Sequence, residues 1–270
     1  MNKKVAFFTM DVESFYDTSC IRAKNISSDE RYDCAICVKQ FLNFLNQRKI
    51  KATLFLTVSF LPRCKEVIKQ AIEDGHEIAL HCLNHDVVTS QDLDEFEGDI
   101  LVAKQIIKKE LGIDVKGFRF PCFHFNNDYL KIIKKNGFLY DSSSVGKVGK
   151  SYIKVNDVVS YQDEFYEFSP IRKDVLNISG GGWLRLYPWP GVYRRLKSYI
   201  KKHDAYLFYL HPFEISTIDL PDYKQLTPLK RMFVKRGRKT YLDKIDKVIG
   251  LLNEEGYSFS TMSDYIDNIE

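Results

Sequence analysis

Residues 75–85 read Gly75-His76-Glu77-Ile78-Ala79-Leu80-His81-Cys82-Leu83-Asn84-His85, and this stretch decides the fold. A glycine closes a helical pattern, an apolar run of strand length follows, and two histidines stand where that run ends. The same grammar continues on both sides. Strand-like runs at 4–10, 52–58, 77–80, 117–120 and 138–140 alternate with helical patterns at 29–48, 60–74, 93–111 and 127–136. Such alternation predicts a mainly parallel sheet or a (β/α) barrel, in which function gathers at the C-terminal ends of the strands. Asp11, His81, Pro121 and Asp141 all fall just past such ends.

The alternation blurs between residues 142 and 202, where short β-like runs at 164–168 and 175–178 precede a Gly180–Arg185 segment and Pro188-Trp189-Pro190. This stretch reads as an insertion on the catalytic rim of a single domain spanning 1–270. The pattern resumes with a strand at 205–210, a helix at 238–255 and a last strand at 257–260.

Composition narrows the class. With 44% hydrophobic residues, 19 Phe and 16 Tyr, the chain can build a sizeable core. A net charge of +4 makes no case for nucleic acid. The apolar run after Met1-Asn2-Lys3-Lys4 is too short for a signal segment and meets Asp11 and Glu13 at once, so a cytoplasmic protein is expected. The six cysteines then read as reduced thiols, with Cys34 and Cys37 as small buried residues rather than a redox pair.

His81 and His85 carry the chemistry. Residues four apart share a face of a helical turn, so two imidazoles can converge on one divalent ion, and a carboxylate from elsewhere completes a hydrolytic site. Asp11 and Glu13 supply two candidates, since positions i and i+2 of a strand point the same way. Two acids on one face repel, which suggests that one binds metal and the other stays free as a base. Arg119, beside Pro121, has the planar fork that orients a carboxylate. His211, at the end of an aromatic strand, reads as a packed histidine or a general acid tuned by a nearby carboxylate. His76, at the opposite end of its strand, reads as structural.

Taken together, Thr9-Met10-Asp11-Val12-Glu13, His81–His85, Arg119-Phe120-Pro121-Cys122, Gly180–Arg185 and His211-Pro212-Phe213-Glu214 resemble the polysaccharide deacetylases of the NodB-homology group, carbohydrate esterase family 4. The closer likeness is to the subgroup with an Asp-Val-Glu first motif found with exopolysaccharide and surface-sugar biosynthesis. The resemblance implies a distorted (β/α) barrel and a metal-dependent N-deacetylase. It also implies that Asp11 is the base, that Glu13, His81 and His85 hold the metal, and that Arg119 orients Asp11. The amide of Cys122 then stabilises the oxyanion, and His211 protonates the departing amine with Asp141 as its tuning carboxylate. Zinc is the first expected ion, with Co²⁺, Ni²⁺, Fe²⁺ and Mn²⁺ as alternatives. The first motif here is Asp-x-Glu rather than adjacent aspartates, and Cys122 stands where an aromatic is common.

Trp183 and Phe123, with Tyr187, Trp189 and Phe125, offer faces for a sugar, and Arg185 a contact to its anionic or hydroxyl-rich part. The expected partner is an N-acylated amino sugar, free, lipid-linked or nucleotide-linked. The basic run at 230–239 reads as a solvated loop before the last helix or as a peripheral contact with anionic lipid. Rival readings are a deformylase or other amidohydrolase, and a carbohydrate-binding relative without turnover.

Overall fold

The computed structural model describes residues 4–17, 35–145, 158–170, 178–217 and 226–269. Cys20, Cys34, the front of the expected 29–48 helix and most of the expected 175–178 strand lie outside these residues. The strands are β1 (Val5–Val12), β2 (Ala52–Leu56), β3 (Glu77–Leu80), β4 (Gly117–Phe118), β5 (Tyr140–Asp141), β6 (Val159–Gln162), β7 (Phe165–Phe168), β8 (Ala205–Leu210) and β9 (Ser258–Phe259). Helices α1 (Ala35–Asn46), α2 (Leu61–Glu73), α3 (Leu93–Leu111) and α4 (Asn127–Lys135) separate the first five strands. Then come α5 (Gly181–Leu186), α6 (Trp189–Ile200), α7 (Pro228–Lys235), α8 (Tyr241–Glu254) and α9 (Met262–Asp267).

The sheet runs β6-β7-β5-β4-β3-β2-β1-β8, with β9 also on β1, and every pairing except β6–β7 is parallel. Gly180 extends it with a parallel bridge to Tyr209 on β8. The result is a nearly closed, barrel-like α/β sheet, as the alternation and the resemblance predicted. The expected strands at 117–120 and 138–140 are two-residue strands here, 117–118 and 140–141. One segment differs from expectation. Part of the stretch read as a rim insertion forms the wall itself, because β7 pairs beside β5.

Period-two alternation explains what faces where. In β1, Ala6, Phe8, Met10 and Val12 pack outward with the helices in the main apolar cluster. Val5 and Phe7 turn inward with Phe55, Ala79, Leu207 and Tyr209 into a second, interior cluster. The inward parity of β1 continues to Thr9, Asp11 and Glu13; that of β3 runs Glu77, Ala79, His81; that of β8 ends at His211. These strands thus carry apolar residues in the barrel interior and their chemical groups at the C-terminal mouth, Asp11 and Glu13 on β1, His81 on β3 and His211 on β8.

At the opposite end, Glu77 accepts hydrogen bonds from Thr53 Oγ1 (2.7 Å), the Tyr140 hydroxyl (2.7 Å) and the first amides of α9, Met262 (3.0 Å) and Ser263 (3.1 Å). A carboxylate there suits a helix N-terminus and closes the floor. His76 is structural as expected: its Nδ1 accepts from the Ala52 amide at 3.0 Å and its Nε2 faces Asn46 Oδ1 at 3.1 Å. Burial, followed by the nearby Lys51 charge, lowers its pKa to about 4. Among the described residues no helix is long and apolar enough to cross a membrane.

Candidate metal and catalytic centre

The register brings the predicted groups together. Thr9 pairs with Tyr209 and Met10 with Leu210, so Asp11 and His211 leave adjacent strand ends. Leu80 pairs with Phe118, which sets His81 beside Arg119. The His81–His85 segment is a bend rather than the helical turn its spacing suggested, with Cys82 at φ +86°. The rings still converge, with centroids 5.1 Å apart.

Glu13 Oε2 lies 2.5 Å from His85 Nε2 and 3.6 Å from His81 Nε2, and all three side chains are buried. One ligand atom from each of Glu13, His81 and His85 falls within 4.8 Å of the others. His81 Nδ1 lies 2.7 Å from the carbonyl of Arg119, which can only accept, so Nδ1 carries the hydrogen and Nε2 presents a lone pair. Burial works to raise the Glu13 pKa, but the charges of His85 and His211 and the imidazoles packed against its carboxylate hold it well below the usual range. Two imidazole nitrogens and an ionised carboxylate, buried and aimed at one point, are a donor set that fits a divalent cation.

Arg119 is fully buried and its fork is satisfied on every side. Nη1 donates to Asp11 Oδ1 (2.6 Å) and Thr9 Oγ1 (3.0 Å), Nη2 to Ser142 Oγ (2.7 Å), and Nε to the Ser142 carbonyl (2.9 Å). The guanidinium also lies 3.9 Å over the Phe55 ring. A lysine could supply the charge but not this geometry. Asp11 Oδ2 is 3.8 Å from His211 Nε2, and Glu13 Oε1 is equally far from it.

His211 is tuned by a carboxylate the sequence reading did not single out. Glu214 Oε2 accepts from the His211 amide (3.0 Å) and lies 3.2 Å from its Nδ1. Burial would lower the His211 pKa, but Glu13, Glu214 and Asp11 raise it to about 9. Arg185, expected to face substrate, instead turns inward: Nε sits 3.4 Å from Glu214 Oε1 and Nη2 donates to the Phe233 carbonyl at 2.7 Å. Its side chain is fully buried, because only an interior cation balances buried Glu214. The spacing of His211 and Glu214, i and i+3 around Pro212, was the available signal.

Asp141, expected beside His211, lies instead in a buried carboxyl pair with Glu167 of β7. Ser143 donates to Asp141 through its hydroxyl (2.7 Å) and amide (3.1 Å), while the Ser143 (3.1 Å) and Ser144 (3.0 Å) amides reach Glu167. Burial raises Asp141 to about 7 and Glu167 well above its ordinary range. The pair fixes the turn whose Ser142 holds Arg119.

Cys122 and Phe123 occupy left-handed backbone (φ +55° and +56°) at the mouth. They line a pocket of about 270 Å³ with Asp11, Glu13, His81, His85, His211, Trp183, Tyr209 and Phe233. Trp183 is 41% exposed, whereas Phe125 is buried in the core. The glycine run explains how α5 sits so close. A Cβ on Gly180 (φ +110°) would fall 2.0 Å from the Tyr209 carbonyl oxygen, and one on Gly182 would fall 2.3 Å from the Phe233 ring.

Residues 28–140 match the polysaccharide deacetylase family model, and residues 158–267 match a domain of unknown function, DUF3473. A peptidoglycan-N-acetylglucosamine deacetylase of Bacillus cereus is 31% identical over 99 residues, 37% of this chain and 46% of the relative. The chain thus spans less than half the length of that curated relative. A candidate polysaccharide deacetylase from Mycobacterium smegmatis shares the fold with TM-score 0.67 at 18% identity, over 99% of this chain and 91% of that one. A carbohydrate esterase family 4 pseudoenzyme from Bacillus anthracis also aligns, with TM-score 0.56 at 15% identity, over 97% of this chain and 65% of that one. Residues 28–140 are thus similar to the polysaccharide deacetylase family, and the chain shares its barrel with solved structures described as a polysaccharide deacetylase and a carbohydrate esterase family 4 pseudoenzyme.

Proposed function

We propose that this chain is a metal-dependent hydrolase that removes an N-acetyl group from an amino sugar during synthesis of surface polysaccharide or glycolipid. The observation that carries the reading is the convergence of Glu13, His81 and His85 beside the Arg119–Asp11 pair and His211. The barrel alone does not carry it, since a pseudoenzyme shares that barrel.

Glu13, His81 and His85 would hold a divalent cation, zinc first among the candidates, which would supply Lewis acidity toward the carbonyl and lower the pKa of the attacking water. Asp11, its Oδ1 engaged by Arg119, accepts a proton from that water as the oxygen bonds to the amide carbon. The Cys122 amide donates to the resulting oxyanion, a contribution of about 3–4 kcal/mol for a well-placed donor. The C–N bond then breaks as His211 gives a proton to the departing nitrogen, leaving acetate and a free amine; such acid catalysis contributes roughly 10²–10⁴-fold. Glu214 and Arg185 hold the His211 ring, and Trp183 and Phe123 flank the sugar. No serine or cysteine nucleophile is required.

The test is release of amine and acetate across a panel of N-acyl amino sugars, free, nucleotide-linked, lipid-linked and polymeric, with and without chelator. One member should release both products, lose this with chelator and regain it with added divalent ion. Asp11→Asn should lose turnover while elemental analysis shows its ion retained. Turnover indifferent to chelator, or His81→Ala with His85→Ala keeping the wild-type metal content, overturns the reading.

A further inference from the structure

Two stretches flanking the pocket are free of acids. Residues 181–203 and 226–240 hold twelve of the chain's 40 Lys and Arg and none of its 36 Asp and Glu. They meet in space: Trp183 of α5 packs edge-on against Phe233 of α7 (6.1 Å), and Arg185 reaches the carbonyl of Phe233. Two cations, Arg185 and Arg238, are buried; the others stand exposed or half-buried.

Of the basic run at 230–239, read as a solvated loop or a lipid contact, residues 230–235 lie in helix α7, which is capped by Thr227. Val234 is its one buried residue, so α7 contributes little to the core. Outward it shows apolar side chains: Leu229 is 71% exposed and Met232 42%, with Trp183 at 41% on the neighbouring helix. Lys230, Lys235 and Arg236 surround these residues and are exposed as well. Exposed apolar side chains beside exposed cations, on two stretches that carry no acid of their own, match the composition of an interfacial membrane face.

We propose that the α5–α7 flank docks the protein on an anionic lipid bilayer, with Leu229, Met232 and Trp183 entering the headgroup boundary and Lys230, Lys235 and Arg236 facing lipid phosphates. The charge selects the occupant: twelve cations on two stretches without an acid complement an anionic surface, and the apolar centre has no use for a soluble polyanion. Gly182, Trp183 and Phe233 also line the catalytic pocket, so docking sets its mouth at the membrane surface. The proposal stands whether or not the deacetylase reading does.

Co-sedimentation of the full chain with phosphatidylcholine vesicles, with and without phosphatidylglycerol, tests it. Binding should require the anionic lipid and fall with added salt. Replacing Lys230, Lys235 and Arg236 together with Gln should weaken it about a hundredfold, given about 1 kcal/mol per cation near an anionic surface. Leu229→Ser with Met232→Ser should weaken vesicle binding at least tenfold, yet leave retention on immobilised dextran sulfate unchanged. Circular dichroism should show both variants folded, since every replaced side chain is exposed. No vesicle binding, equal binding to neutral vesicles, or full vesicle binding by the Leu229→Ser, Met232→Ser variant overturns the proposal; the last outcome would mark the face as a polyanion site.

Discussion

The Arg119–Asp11 pair offers the sharpest energetic test of the site. The two charges touch at 2.6 Å and both side chains are essentially buried. With charge centres about 4 Å apart and an effective dielectric near 20, their attraction is about 4 kcal/mol. Removing the cation alone strands a buried carboxylate, and Arg119→Met should therefore cost about 3–5 kcal/mol. Asp11→Asn alone should cost less, because the Thr9 and Ser142 oxygens still receive the guanidinium. His211, 3.8 Å from Asp11, softens the loss of Arg119. The double variant should be more stable than the sum of the singles by about 2–3 kcal/mol. Equilibrium urea unfolding of the four proteins in chelator measures this without any contribution from a bound ion. A coupling below about 0.5 kcal/mol, the scatter expected of independent sites, would refute the claim that Arg119 exists to hold Asp11.

Two further outcomes follow from single positions. Gly180→Ala puts a methyl group 2.0 Å from the Tyr209 carbonyl in left-handed backbone, so it should cost about 2–4 kcal/mol in thermal or urea denaturation. A variant within about 0.5 kcal/mol of the parent contradicts the close approach of α5 to β8. His76, with a pKa of about 4 against roughly 6.5 unfolded, favours folding fully above pH 6.5, and that contribution drains away as pH falls towards 4. Allowing for partial screening, the stability gap between the parent and His76→Gln should narrow by about 2–3 kcal/mol between pH 7 and pH 4; a gap independent of pH refutes the assignment.

The barrel and the positions of its mouth residues were legible because they depend on local pattern. Alternation in Val5–Val12 and Ala205–Leu210 sets which side chains point inward, and parity carries that through to Glu13 and His211. What the sequence hid depends on packing between distant segments. Asp141 was plausible as the partner of His211, yet β7 brings Glu167 beside it and claims it for the Ser142–Ser144 turn. Arg185 looked like a substrate contact because an arginine in a glycine-rich rim segment is usually exposed. Only the approach of Glu214, which needs a buried counter-charge, turns it inward. Helix α7 was missed because it is only eight residues long and lies within a run of cations, so its few apolar residues give too short a periodic signal to stand out from a solvated loop.

The division of the chain between two matched regions bears on where the chemistry resides. The 28–140 match holds His81, His85 and Arg119, but neither Asp11 nor Glu13, which precede it. The 158–267 match, a region of unknown function by its family description, holds His211, Glu214, Arg185 and Trp183. Neither region closes the site alone. The join is β1, which pairs with β2 of the first region and β8 of the second and ends in the two carboxylates. Glu13 reaches His81 and His85 on one side and His211 on the other. On the proposed chemistry, the first region and β1 supply the cation site and the oriented base. The second supplies the acid and the face for the sugar. The surroundings of His211 need no separate ligand to explain them, because Arg185, Glu214 and the glycine run each account for the placement of His211 or the pocket wall.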